Sequence, residues 1–130
     1  MEKLRRIIEW TKLKIRIESN ENDIVYFKER EIWWASLGSN IGFEQDGKNA
    51  KFERPVLILR KFGPEVFWGV PMSSKKKEGR FYYVVNYDDF DYSILLSQLR
   101  LISSKRLVRK LRYLPEDEFE ETKKRIKDLL

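Results

Sequence analysis

The chain contains no cysteine and no histidine. Without cysteine it has no disulfide, no thiolate nucleophile and no Cys-type zinc or iron–sulfur site. Without histidine, Ser-His-Asp catalysis, the paired-imidazole route to RNA hydrolysis and nearly every zinc site are excluded. An enzyme built from this sequence works without the usual neutral-pH acid–base residue. Long apolar runs are missing too: nothing approaches the roughly 18–20 residues of a membrane span. The opening Met1-Glu2-Lys3-Leu4-Arg5-Arg6 lacks the apolar centre of a secretory signal. The expectation is a soluble, reduced, cytoplasmic protein with no membrane partner.

What is present is one domain's worth of chain, 130 residues. A charged fraction of 37% is high, but 42% apolar and 14% aromatic residues are too many for disorder. Lys and Arg outnumber Asp and Glu by 27 to 21, a net +6 that leans toward a polyanionic partner.

Leu4, Ile7 and Ile8 recur at helical spacing and predict a helix over residues 2–12. Leu13, Ile15 and Ile17 then alternate with charges, which fits either the end of that helix or a short edge strand. Ser19 to Asp23 reads as a linker. Short strands follow. Glu31 to Leu37 places Trp33 and Trp34 on opposite faces. Gly38 to Phe52 is loop-like. Pro55 to Leu59 is the near-continuous apolar run of a strand buried on both faces, joined at Gly63-Pro64 to a strand from Glu65 to Met72. Ser73 to Gly79 is a basic loop. Further strands are expected over Phe81 to Tyr87, Ser93 to Ile102 and Val108 to Leu114, with a helical turn at Ser104 to Leu107. Pro115 and the acids after it open a terminal helix whose stripe is Phe119, Ile126 and Leu129. Short strands at regular spacing between two helices suggest a small barrel.

Gly42-Phe43-Glu44-Gln45, followed by Arg54-Pro55-Val56-Leu57-Ile58-Leu59, resembles the MazF/PemK family of toxin endoribonucleases. Val70-Pro71-Met72-Ser73-Ser74-Lys75, Leu95-Leu96-Ser97-Gln98-Leu99-Arg100 and Ser103-Ser104-Lys105-Arg106-Leu107 resemble three further stretches of that family, in the same order. The resemblance covers residues 31–130 and leaves 1–30 as a helical extension packed on the barrel. It departs in two places. Gln45 and Arg54 stand nine positions apart, so the intervening loop is longer than the family's. The family's catalytic Thr aligns with Ser73 or Ser74.

The resemblance implies an α+β, mainly β, SH3-like (CcdB/PemK-type) barrel with helices at both ends. It also implies a homodimer that cuts single-stranded mRNA without metal or cofactor, leaving a 2′,3′-cyclic phosphate and a 5′-hydroxyl, under control of a cognate antitoxin. Two rivals remain: a non-catalytic SH3-like module gripping nucleic acid or protein, and a gyrase-poisoning toxin of the same fold. The Glu44-Gln45 and Arg54-Pro55 motifs argue against the second.

Attack by a 2′-hydroxyl needs a base, a stabiliser for the phosphorane and an acid for the leaving oxygen. Arg54 is the first candidate, because its planar fork can hold two phosphate oxygens; its bland alternative is a surface arginine at a strand end. Ser73 offers a hydroxyl donor, against an ordinary turn serine. Glu44 is the motif's carboxylate, a base if burial raises it and otherwise a loop-fixing group. Gln45, Lys48, Lys75, Lys76, Lys77, Gln98 and Arg100 are the candidate RNA contacts, with Gln98 and Arg100 on one face of a strand. Arg100 to Arg112 holds six basic residues and no acid, which draws phosphates regardless of sequence. Trp33, Trp34, Trp68 and Tyr82 are candidate stacking platforms. Asp88, Asp89 and Asp91 lack the glycine spacing of a ligand loop and read as a solvated turn, so no metal is expected.

A salt series checks the lysine loop. If all three of Lys75, Lys76 and Lys77 touch phosphate, neutralising them together should flatten the slope of RNA affinity against salt by ~2 units, at ~0.7 per single-strand contact. An unchanged slope would assign the run to solvent.

Overall fold

The computed structural model describes residues 2–20, 24–38, 40, 46–48, 52–87 and 89–130. Helix α1 (Glu2–Ser19) leads into strands β1 (Glu31–Ser36), β2 (Glu53–Lys61), β3 (Val66–Ser73), β4 (Tyr82–Tyr87), β5 (Phe90–Leu95), β6 (Arg100–Ser103) and β7 (Leu107–Tyr113), and helix α2 (Glu116–Leu129) ends the chain. The fold is mainly β with a helix at each end, as expected. The sheet is antiparallel, in the order β4-β5-β3-β2-β1-β7, with β6 on β3. It is not closed: among the described residues β4 and β7 remain its outer strands rather than pairing as a barrel would require.

β2 is the centre, and its apolar run is buried on both faces. Leu57 and Leu59 join Ile32, Val70, Met72, Ile94 and Leu96 beneath Phe119 and Ile126 of α2. Val56 and Ile58 join Phe27, Trp33, Leu37, Phe67, Ile102 and Leu107 on the other side. Each such aliphatic side chain contributes roughly 1.5–3 kcal/mol by leaving water, so one strand ties two cores together.

One open reading is settled and one expectation changes. The segment Leu13 to Ile17 is helix, because Ile7, Trp10, Leu13 and Ile17 form the inward face at helical spacing. Leu4 and Ile8, which mark the period in the sequence, point outward and are half exposed. The strand expected over Ser93 to Ile102 is broken by a 3-10 turn, Leu96–Gln98. The reason is topological. β5 pairs with the end of β3, Met72 opposite Ile94 and Ser73 opposite Ser93, whereas β6 pairs with its beginning, Val66 opposite Ser103 to Gly69 opposite Arg100. The chain has to turn to serve both stretches of the same edge.

Glu31 fastens β1 to its surroundings. Its buried carboxylate accepts from Trp33 Nε1 (3.0 Å), from the Lys28 N–H (2.8 Å) and from Lys110 Nζ (3.5 Å). Burial by itself pushes this carboxyl upward, but the indole, the amide and the lysine charge outweigh it and hold it below the usual range. A lowered folded-state value stabilises the fold above the unfolded value of about 4.3, and the contribution disappears as pH falls through the lowered value. Glu31→Gln should therefore cost about 1–3 kcal/mol at pH 7. Urea melts of parent and variant should converge as pH falls below the unfolded value of about 4.3 and through the lowered one; a gap independent of pH would show that the carboxylate's charge is irrelevant.

Candidate active site

Arg54 lies near the start of β2, on the face shared by Val56 and Ile58. It is almost fully buried, 7% exposed. On one side it pairs with Ala35 of β1. On the other side β2 pairs with β3 from Ile58 opposite Gly69 to Val56 opposite Pro71, two positions short of Arg54, and the Arg54 side chain reaches the Met72 carbonyl next to Ser73. Two of its donors are tethered: Nε donates to the Asp46 carbonyl at 2.7 Å and Nη1 to the Met72 carbonyl at 3.2 Å. Two tethers fix the plane of the guanidinium. Burial lowers its affinity for the proton, and the Asp46 carboxylate partly restores it.

Ser73 ends β3 and is buried. Its Oγ accepts from the Lys75 N–H at 3.2 Å, a turn contact that leaves the hydroxyl proton available for donation. Ser93, across the ladder, is wholly buried; its Oγ accepts from the Lys77 N–H (2.9 Å) and donates to the Lys75 carbonyl (2.8 Å). The two serines thus shape the basic loop. Lys75 and Lys76 are exposed on it, and Lys77 Nζ lies 5.7 Å from the Tyr82 ring centre. Ser93 was missed by sequence reasoning, and its signal was a lone hydroxyl in an apolar stretch.

Arg106 is the other residue the sequence did not single out. It sits half buried in the 3-10 turn Ser104–Arg106, and its Nη1 donates to the Ser36 carbonyl at 3.2 Å. Burial lowers its proton affinity, and the positive charge of Arg100 lowers it further. Arg100 pairs with Gly69 and shares the face of Ile102, the face that also carries Arg54 and Ser73. Arg54 and Arg106 flank the end of β1 from opposite sides. The guanidiniums of Arg100 and Arg106, which repel one another, favour an anion between them.

Several expected residues fall elsewhere. Glu44 and Gln45 lie outside the described residues. Lys48 is exposed, its backbone bridged to Glu53. Gln98 belongs to the 3-10 turn, so it does not share a strand face with Arg100. The basic stretch from Arg100 to Arg112 is not uniformly directed at solvent. Arg109 pairs with the buried Glu53 at 3.0 Å and Lys110 with Glu31, while Lys105 Nζ donates to the Glu18 carbonyl at 2.9 Å. Of the candidate stacking rings, Trp33 is buried, Trp34 lies 5.0 Å from the Arg109 guanidinium, and Trp68 is 43% exposed beside Phe62. A hollow of about 290 Å³ opens beside Ile32, Pro55, Met72 and Tyr87; Arg54 and Ser73 do not line it.

The loop facing Arg54 closes tightly. Gly47 N–H donates to the Gly38 carbonyl at 2.7 Å, and a side chain on Gly47 would strike the Phe52 carbonyl. Gly38 has φ +91°, and the Trp10 indole occupies the space of its missing Cβ.

The chain matches the family model for a PemK-like, MazF-like toxin of a type II toxin–antitoxin system over residues 28–130. Its structure is similar to MazF from Deinococcus radiodurans, with a TM-score of 0.66, 21% identity, and coverage of 81% of this chain and 97% of the other. It is also similar to the Mycobacterium tuberculosis toxin MazF-mt6, with a TM-score of 0.58, 18% identity, and coverage of 76% and 94%. No curated relative matches the chain. With its family model spanning all seven strands and α2, the chain belongs to the PemK-like, MazF-like toxins of type II toxin–antitoxin systems.

Proposed function

We propose that this protein is a toxin endoribonuclease that cuts single-stranded mRNA at a short sequence by attack of the RNA's own 2′-hydroxyl. The observation that carries the reading is the tethered, buried guanidinium of Arg54, bound to the Met72 carbonyl next to the buried Ser73, whose hydroxyl accepts from the first residue of the lysine run. The ribose oxygen attacks phosphorus, the bond to the 5′-oxygen breaks, and a 2′,3′-cyclic phosphate remains. Charge gathers on the equatorial oxygens in between. A donor pair whose geometry is fixed before the reaction stabilises that charge without reorganising. Arg54 supplies the fork and Ser73 a single donor. Because Arg54 already donates to neutral carbonyls, a phosphate gains from the stronger charge-assisted bond.

The proton of the 2′-hydroxyl requires a base, and Glu44 is the motif's carboxylate for that task. Burial weakens the hold of Arg54 on its own proton, which suits a secondary role in sharing one with the departing oxygen. Arg100, Arg106 and the loop Lys75, Lys76 and Lys77 supply positive charge for flanking phosphates, with Lys48, Gln45 and Gln98 as further RNA contacts. Charge stabilisation in this scheme comes from guanidinium and hydroxyl groups, so the reaction proceeds without metal or cofactor. Membership of a type II family supports a cognate antitoxin as inhibitor, and a homodimer acting in the cytoplasm. No described helix is long and apolar enough to cross a membrane.

Purified protein given single-stranded RNA in excess chelator should release discrete fragments with 5′-hydroxyl ends; 5′-phosphates, or cleavage only after magnesium is added, would contradict the route. Arg54→Lys separates clamp from attraction, because lysine keeps the charge and loses the fork. Single-turnover cleavage should fall ~10²–10³-fold, as for loss of one preorganised donor, while RNA binding weakens only slightly. Ser73→Ala should follow more mildly. A folded Arg54→Lys protein that cleaves within a few-fold of the parent would favour the non-catalytic binding module.

A further inference from the structure

Helix α1 precedes the family match, which begins at residue 28. Its inward contacts converge on the groups that hold Arg54 and Arg106. Lys3 Nζ pairs with the Asp46 carboxylate at 2.7 Å, and Arg6 Nη2 donates to the Gly47 carbonyl at 3.3 Å. The Arg6 guanidinium stacks 4.1 Å from the centre of the Phe52 ring. Trp10, the buried residue of the helix, packs on Phe52 with ring centres 5.6 Å apart and fills the space at Gly38. The Arg106 guanidinium lies 5.5 Å from the same indole.

These contacts add side-chain ties to a segment whose backbone is already bonded to Gly38 and Glu53. Asp46 supplies the carbonyl that receives Arg54 Nε and the carboxylate that favours its charge. Phe52 stands two residues before Arg54, and its carbonyl accepts from Leu37 at 2.9 Å. One of the two carbonyls that aim the Arg54 guanidinium belongs to this loop, so a shift of the loop turns the fork about its tether on Met72, and displacements near 1 Å can lower rates by about a hundredfold.

From this we propose that α1 is a positioning element, with Lys3 and Arg6 holding the loop at 46–48 and Trp10 packing the Gly38 and Phe52 backbone behind it, so that Arg54 keeps its reactive orientation. The proposal rests on the reading of Arg54 as the phosphorane clamp. Lys3, Arg6 and Trp10 act through the loop and do not touch the substrate.

Trp10 is unsuitable as the main test, since removing a buried indole endangers folding. Lys3→Ala combined with Arg6→Ala leaves that packing in place. In the full chain, with protein in excess over a short RNA substrate, this pair of substitutions should lower the single-turnover rate ~10-fold. RNA affinity should stay within a few-fold and circular dichroism should be unchanged. Arg6→Lys, which keeps a donor for the Gly47 carbonyl, should recover part of the rate lost in Arg6→Ala. Built on Arg54→Lys, the Lys3 and Arg6 substitutions should add less than about twofold, because there is no fork left to aim. An equal loss in both backgrounds, an unchanged rate, or a faster one would overturn the positioning role. Failure of the underlying reading shows separately: Arg54→Lys alone would then cleave like the parent, which also removes the group α1 is proposed to aim.

Discussion

A guanidinium taken out of water has to be met by protein acceptors, and the neighbourhood of Arg54 is arranged around that need. Desolvating a cation costs several kcal/mol unless hydrogen bonds replace the lost water. Here the replacements are main-chain carbonyls from two places, Asp46 and Met72. The Met72 carbonyl lies within reach because the β2–β3 ladder runs unbroken from Ile58 opposite Gly69 to Val56 opposite Pro71, next to Met72. The Asp46 carbonyl is available because Gly38 and Gly47 allow the loop to fold back against β1 and Phe52. Fold and site are therefore one arrangement: the sheet that buries the apolar run of β2 also fixes the plane of the arginine next to it.

The other charges fall into two groups. Glu31 and Glu53 are buried acids with cationic partners reaching in from β7, Lys110 and Arg109. They fasten the β1, β2 and β7 strands and explain why a stretch so rich in arginine and lysine is partly structural. Arg100 and Arg106 form the contrasting group, cations whose charges disfavour one another at the two ends of the short β6 segment. Positive charge is thereby concentrated where a phosphodiester would be held, instead of being spread evenly over a protein of net +6.

The sequence made some of this legible and hid the rest for physical reasons. The apolar run Pro55 to Leu59 marked the central strand because burial on both faces leaves no polar position in the pattern. The motif order placed Arg54 and Ser73 on a common hairpin, and the bond from Arg54 to the Met72 carbonyl brings the arginine to the residue next to Ser73. The break at Leu96–Gln98 was hidden because Leu95, Leu96 and Leu99 continue an apolar pattern through it; only the need to serve two stretches of β3 requires a turn. Arg106 and Ser93 were hidden because their importance lies in partners far away in sequence, Ser36 in one case and the lysine loop in the other. Trp10 gave no clear signal, since its neighbours on the packed face include Arg6, whose partner is a backbone carbonyl.

The seam at the end of β3 has a thermodynamic consequence. The β4–β5 hairpin joins the rest of the sheet through Met72 opposite Ile94 and Ser73 opposite Ser93, while β2, β1 and β7 are laced together over longer stretches. Proteins open in cooperative pieces, and a two-pair ladder leaves the hairpin held mainly by its core residues Val85 and Ile94. Ser73 belongs to both sides of that joint. Fluctuations that detach the hairpin loosen its backbone pairing and the Ser93 clamp on the lysine loop together, while Arg54 stays anchored in the more persistent half. The two halves of the proposed reaction centre thus lie on opposite banks of a local unfolding boundary.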